Sequence, residues 1–180
     1  MKYIVLLRGI NAGAHRRVNM KVLKEQLADI GCDDVATYLA TGNIVCASPR
    51  TRDELHKAIV AMLQSHYNFT IDFSLITADD YLRQADQLPA WWHEPVARKD
   101  VAFFTDTTDI QEVHQSAADM VCADGELVHV GALGIFFASR DTAPYKEVAY
   151  ARWLNRQPYY NTITVRTGNT FNAILRMAQP

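Results

Sequence analysis

The spacing of apolar positions divides the chain into short elements. Tyr3 to Leu7 is an aliphatic run too short for a helix, and Arg8-Gly9 ends it, so it predicts a strand. A glycine-containing loop, Gly9 to Val18, follows. Asn19 is placed to cap a helix whose apolar residues Met20, Leu23, Leu27 and Ile30 recur at helical spacing, with Gly31 as its stop. Val35 to Leu39 and Ile44 to Ala47 have strand composition and flank Thr41-Gly42-Asn43, where Gly and Asn tolerate the positive φ of a tight turn. Thr51-Arg52-Asp53-Glu54 reads as a capping box opening a second helix with Leu55, Ala58, Ile59, Met62 and Leu63 on one face. Thr70 to Thr77 then predicts a strand.

A short helical pattern after Ala78 leads into Pro89, Trp91, Trp92 and Pro95, which mark a crossover, and beyond it the order begins again. Val101 to Thr105 predicts a strand. Asp109 caps a helix bearing Ile110, Val113 and Ala117, and Asp124-Gly125 is expected to turn a strand Met120–Ala123 back into Glu126–Val130. Ile135 to Ala138 adds a strand, Pro144 suits the first turn of a helix with Val148, Ala149 and Leu154, and Ile163 to Arg166 closes as a strand. A last helix covers about Asn169 to Met177. The expected architecture is α+β: two ferredoxin-like β-α-β-β-α-β halves in tandem, residues 1–86 and 99–180, joined by a crossover over 87–98 and ending in a C-terminal helix. The repetition is one of pattern and not of residues, and points to an internal duplication.

Composition supports a folded chain, because 180 residues with 49% hydrophobic and 21% charged can bury a real core. The first apolar run meets Arg8 before it can form a signal-peptide core or a membrane span, which predicts a cytoplasmic protein with no membrane partner. Cys32, Cys46 and Cys122 are odd in number and lack C-x-x-C spacing, so reduced, mostly buried thiols are expected in place of a disulfide framework or zinc knuckle. The net charge of −2 hides a division: residues 1–24 carry six basic groups and no acid, 25–139 six basic and eighteen acidic, and 140–180 six basic and two acidic. If the basic ends meet they form one electropositive face, and otherwise they are solvated surface charge.

The loop from Arg8 to Arg17 combines glycine backbone with Arg8, Asn11, His15, Arg16 and Arg17, the materials of an anion cradle. It lacks the Gly-Lys-Ser/Thr ending of a P-loop and has no G-x-G-x-x-G, so neither nucleotide fingerprint applies. In β-α-β-β-α-β the first two strands point the same way, which brings the first loop and the hairpin turn to one end of the sheet, where Arg8, Asn11, Thr41 and Asn43 can converge. Such convergence serves a small polar ligand, and it serves equally well two loops that hydrogen-bond each other. No histidine spacing suits a metal, no cofactor motif is present, and no Ser or Cys sits in a recognisable nucleophile setting, so no catalytic residue can be named. Trp91 and Trp92 read as core tryptophans before they read as a ligand pocket.

Three pieces taken together, Leu6-Leu7-Arg8-Gly9-Ile10-Asn11-x-Gly13, Met20-x-x-Leu23 and Val35-x-Thr37-Tyr38-x-x-Thr41-Gly42-Asn43, resemble the domain-of-unknown-function 1697 family in order and spacing. Thr164-x-Arg166-x-x-Asn169-Thr170 resembles that family's closing motif. The resemblance implies paired ferredoxin-like units and a family with no assigned activity. The functional expectation is therefore the binding of a small anionic or nucleotide-like ligand at the loop Arg8–Arg17. Arg8, Gly9, Asn11, Gly13, Thr41, Gly42, Asn43, Arg166 and Asn169 are its candidate residues. The alternatives are an RNA-binding module on a ferredoxin-like sheet, against which the negative charge and missing RNP1 pattern argue, or an enzyme using Arg8, Asn11 and Asn43. Nothing fixes an oligomeric state, and a monomer is the expectation.

Overall fold

The computed structural model describes residues 1–13, 15–118, 120, 122–140, 142 and 144–179. The chain divides into two compact units, Met1–Arg83 together with the segment from Ala173 on, and Gln84–Asn172. The division falls between Arg83 and Gln84, inside a helix, and the closing residues belong to the first unit.

In the first unit β1 (Lys2–Leu7), α1 (Met20–Asp29), β2 (Asp33–Tyr38), β3 (Asn43–Ala47), α2 (Arg52–His66) and β4 (Phe73–Thr77) follow in order, and α3 (Ala78–Asp86) leaves directly from β4. The sheet order is β2-β3-β1-β4 with antiparallel neighbours, the ferredoxin-like arrangement. Local chemistry sets both main helices. The Asn19 side chain accepts from the N–H groups of Lys21 and Val22, and Thr51 and Glu54 complete a reciprocal capping box. Leu23, Leu27, Leu55 and Ile59 then cover Tyr3, Val5, Leu7, Ile44 and Cys46 on one sheet face. The alternate residues Ile4 and Leu6 are also fully buried, so β1 is apolar on both faces.

The second unit holds α4 (Ala90–His93), β5 (Arg98–Phe104), α5 (Ile110–Ala118), β6 (Glu126–Val130), β7 (Gly134–Ser139), a 3-10 turn at Tyr145–Glu147, α6 (Ala149–Leu154), a second 3-10 turn at Pro158–Thr162, and β8 (Ile163–Thr167). α7 (Gly168–Ala178) starts here and ends in the first unit. The sheet order β6-β7-β5-β8 repeats that of the first unit. Ala102, Phe104, Ile135 and Phe137 pack against Val113, Tyr150 and Leu154, while Trp92 meets Phe136 and Phe171 edge to face at 5.2 and 5.5 Å.

Several expectations are corrected. β6 does not pair across Asp124-Gly125 with Met120–Ala123; its partner is β7, with His129 opposite Phe136, and Gly131 N–H to Gly134 O closes that turn. Val121, inside the expected strand, lies outside the described residues. Residues 70–72 precede β4, which starts at Phe73; Arg8 N–H donating to Asp72 O at 2.8 Å follows the register of Leu7 opposite Phe73 by one further bond. Pro144 stands before a 3-10 turn and not within the first turn of α6. Among the described residues no helix is long and apolar enough to cross a membrane.

Candidate functional site

β1 and β2 each run antiparallel to β3 and so run parallel to each other, which carries the loop after β1 and the β2–β3 turn to one end of the first sheet. Leu7 N–H donates to Gly42 O at 2.8 Å. The Asn11 amide donates to Val18 O at 2.9 Å and to Ala40 O at 2.7 Å, and its carbonyl accepts from Val18 N–H at 2.9 Å. Buried Asn43 donates to Tyr38 O and to Thr41 Oγ1. Gly42 has φ 79°, and a Cβ there would lie 2.6 Å from Leu7 Cβ. Of the residues expected to converge, Asn11, Thr41 and Asn43 lie together with Gly42, and the amide hydrogens of Asn11 and Asn43 are committed to bonds within and between the two loops.

The cations of the loop are dispersed. Arg8 is half-buried, with its N–H on Asp72 O. The Arg16 guanidinium lies over the Phe69 ring, bonds to Thr70 O and sits against Gly9. His15 and Arg17 are exposed, and Gly13, at φ 79°, has nothing among the described residues within 4 Å of a would-be Cβ. Ala14, also in the loop, lies outside the described residues.

Arg166 and Asn169 belong to the second unit. Arg166 is buried on β8, where its Nη1 donates to Thr164 Oγ1 at 2.7 Å and to Val165 O at 2.9 Å. Asn169, in the first turn of α7, lines a cavity of about 320 Å³ together with Pro95, Arg98, Lys99, Asp100 and Thr167.

That cavity is built from the start of β5 and the start of α7. Along the strand Arg98 and Asp100 share one face and Lys99 takes the other. Asp100 is 1% exposed and accepts from Arg98 Nε at 2.5 Å and from the Tyr150 hydroxyl at 2.6 Å, so its charge is paired and bonded. Burial, and then the bond to Asp100, push the Tyr150 hydroxyl far above the ordinary tyrosine range. Tyr145, whose ring underlies the Arg98 guanidinium at 4.9 Å, is raised by burial as well. Its buried hydroxyl has no hydrogen-bond partner among the described residues. Lys99 Nζ donates to Glu94 O at 2.7 Å, and burial pulls its ammonium below the ordinary lysine value. A Cβ on Gly168 would lie 2.7 Å from Lys99 Cβ, so α7 starts as close to β5 as glycine permits. With Arg98 neutralised by Asp100, Lys99 and the N-terminal dipole of α7 are the positive elements of the wall.

Strand register aligns this site with its counterpart in the first unit. Tyr3 opposes Thr77 and Asp100 opposes Thr167, so Lys2 corresponds to Lys99, Asp79 to Asn169 and Asp80 to Thr170. In both units the strand-end threonine caps the following helix, Thr77 Oγ1 accepting from Asp80 N–H and Thr167 Oγ1 from Thr170 N–H. The first turn of α3 carries Asp79 and Asp80, whereas that of α7 carries no acid. The first unit's Lys2 is occupied by the carbonyls of Met177 and Gln179. The two halves therefore share one framework, with its own carboxylates at the helix start in the first and neutral side chains in the second.

Reading by motif missed Arg98, Lys99, Asp100 and Tyr150. The one signal available was an acid, Asp100, at the strand position that Tyr3 fills in the first half, visible only when the halves are aligned. Among the described residues no three His, Cys, Asp or Glu side chains are grouped to hold a metal ion.

The chain is similar to the solved structure of the conserved bacterial protein SP0830 from Streptococcus pneumoniae, at 32% identity over 99% of this chain and 98% of that one, with a TM-score of 0.92. No curated protein matches. The family described as a protein of unknown function, DUF1697, matches residues 1–132, which include the loop and turn of the first unit and end before Thr164–Thr170. By that match over most of its length, the chain belongs to the DUF1697 family.

Proposed function

We propose that this protein binds a small anionic ligand of the phosphate or carboxylate class in the cavity between the start of β5 and the start of α7. The observation that carries the reading is the difference between the two halves at one structural position. Where α3 opens with Asp79 and Asp80, α7 opens with Asn169 and Thr170, beside Lys99 and a cavity of about 320 Å³. A helix start without its own acid, next to a cation, favours an anion supplied from outside. The volume lies at the lower end of ligand sites, which suits a phosphorylated metabolite better than a dinucleotide. Lys99 supplies the charge and Asn169 and Asn172 the neutral amides.

The test is thermal shift and calorimetry with inorganic phosphate, sugar phosphates and nucleoside monophosphates. A ligand at 100 times its Kd adds about 2.7 kcal/mol to stability. Lys99→Ala and Asn169→Asp should each weaken binding about tenfold or more, the loss of about 1.4 kcal/mol of charge interaction. Asn169→Asp places in the second unit the carboxylate that Asp79 supplies in the first. Binding unchanged in both variants overturns the site.

A second reading keeps the anion at the loop Arg8–Arg17, and one observation favours it. Asn11 and Arg16 join Gly9 and Gly13 in the left-handed region, with φ 54° and 59°. Non-glycine residues held there store strain that is often part of a function. Loss of the anion with Arg17→Ala, but not with Lys99→Ala, would select this reading. Nothing favours the RNA alternative, since the residues of β1 and β3 on both sheet faces are buried. Three free thiols support a reducing, cytoplasmic setting, and the shared strand order supports a duplication of one half.

A further inference from the structure

Each unit has a cavity at the same place in its fold, and the two are lined by corresponding residues. The first unit's, of about 220 Å³, is bounded in part by Met1, Lys2, Ala78, Asp79 and Leu82. The second unit's, of about 320 Å³, is bounded in part by Arg98, Lys99, Gly168, Asn169 and Asn172. The register that matches Tyr3 with Asp100 and Thr77 with Thr167 pairs those residues in the order given. A lysine and a helix start are common to both. Around them, Arg98 stands where the first unit has Met1, and Asn172, one helical turn beyond Asn169, stands where it has Leu82. Resting on the anion reading above, we infer that the ligand is a small phosphorylated polyol, a sugar phosphate, with its phosphate at Lys99 and the start of α7 and its hydroxyls at Asn169, Asn172 and Arg98.

The side-chain chemistry selects hydroxyls. A bare phosphate asks only for donors, whereas a hydroxyl both donates and accepts, and an asparagine amide offers both. The leucine of the first cavity offers neither. The amides of Asn169 and Asn172 enter no hydrogen bond among the described residues, in contrast to those of Asn11 and Asn43. Arg98 commits Nε and Nη2 to Asp100, and its remaining N–H groups are left for a hydroxyl oxygen. No aromatic side chain is among the described residues that line the cavity, so a nucleobase finds no platform to stack on. A volume at the lower end of ligand sites suits a phosphate carrying a short chain or one ring. Of the exposed large hydrophobic residues described, only Ile110 lies in the second unit, and it is not part of the lining, so an acyl chain has no apolar surface beside the cavity.

Calorimetry on the full chain compares ribose 5-phosphate, glucose 6-phosphate, adenosine monophosphate and inorganic phosphate. The sugar phosphates should bind at least about tenfold tighter than inorganic phosphate, the gain from added hydrogen bonds, and adenosine monophosphate no tighter than ribose 5-phosphate. Sugar phosphates that bind no tighter than inorganic phosphate, or adenosine monophosphate that binds tighter than ribose 5-phosphate, overturn the inference and leave the anion site standing. Failure of all four to bind removes the anion site and the inference with it. Asn172→Leu installs the first unit's side chain and should lower the ratio of ribose 5-phosphate to inorganic phosphate affinity about fivefold or more. A ratio equal to that of the unmodified chain overturns the placement of hydroxyls at Asn172. Phosphatidylglycerol vesicles offer the same phosphate and hydroxyl chemistry as a headgroup, and cosedimentation with them in place of sugar phosphate binding overturns the assignment to a free sugar phosphate. The comparison of the four probes is read on the unmodified sequence, so folding of the variant does not decide it.

Discussion

Gly42 offers a quantitative test of how the first loop and the hairpin turn are joined. It sits at φ 79°, and a methyl group there would meet Leu7 Cβ at 2.6 Å and Ile10 Cδ1 at 3.0 Å, both buried. Alanine in the left-handed region costs about 1–2 kcal/mol. Forcing a methyl against Cβ of a central strand, which cannot move without its backbone, adds about 1–3 kcal/mol. Gly13 separates the two contributions: its φ is also 79°, but among the described residues nothing lies within 4 Å of its would-be Cβ. Gly42→Ala should therefore lose about 2–5 kcal/mol and Gly13→Ala about 1–2 kcal/mol, the difference being the packing part. Urea unfolding followed by far-ultraviolet circular dichroism gives both values. Tryptophan fluorescence is a second probe confined to the second unit, since Trp91, Trp92 and Trp153 all lie there. Equal losses for the two variants would refute the argument that contact with Leu7 and Ile10 is what requires glycine at 42.

Tyr150→Phe removes the bond to buried Asp100 and should cost about 1.5–3 kcal/mol, measured by the urea midpoint. Because Tyr145 and Tyr150 are both raised in the folded chain, their contribution is intact below the ordinary tyrosine value of about 10 and declines as pH rises above it, since the unfolded chain ionises first. Stability should therefore fall above pH ~10, and less steeply in Tyr150→Phe. Thr51→Ala should cost about 1 kcal/mol through loss of the helix cap. Glu54, lowered first by the Thr51 backbone N–H, adds stability above the ordinary carboxylate range that is lost as pH falls through its folded value, so Glu54→Gln should flatten the acid limb of the stability curve. Gly168→Ala brings a methyl group to 2.7 Å from Lys99 Cβ and should both destabilise by about 1–3 kcal/mol and weaken the anion, read by calorimetry.

The elements with local causes were legible in the residues. Asn19 and Gly31 bracket α1, and the Thr51–Glu54 box opens α2, because caps depend on neighbours in sequence. Strand pairing in the second half was not. Asp124-Gly125 has the composition of a hairpin turn, yet Gly125, at φ 80°, bonds through its carbonyl to Arg140 N–H beside the far end of β7. The true turn, at residues 131–133, is held by Gln84 Oε1 accepting from Leu133 N–H, a partner distant in sequence. The strand expected from Val101 starts instead at Arg98, because the ion pair that lets Asp100 be buried in β5 is visible only in three dimensions. At the candidate site, convergence of Asn11 with the hairpin turn followed from topology. That its amide would be consumed by Val18 and Ala40 could not be read from residue types.

The closing segment of the chain is structurally part of its beginning. Lys2 Nζ donates to the carbonyls of Met177 and Gln179, and the residues from Ala173 on are counted with Met1–Arg83. During synthesis the N-terminal sheet and its helices can form early, but their last contacts wait until the end of α7 has left the ribosome. The first unit cannot be cut out as a continuous piece, because a break between Arg83 and Gln84 leaves it without its final helical turns and puts them at the end of the second. A circular permutant joining residue 179 to residue 1 and opening at 83–84 makes each unit contiguous, and it turns the order of translation into a variable that can be set.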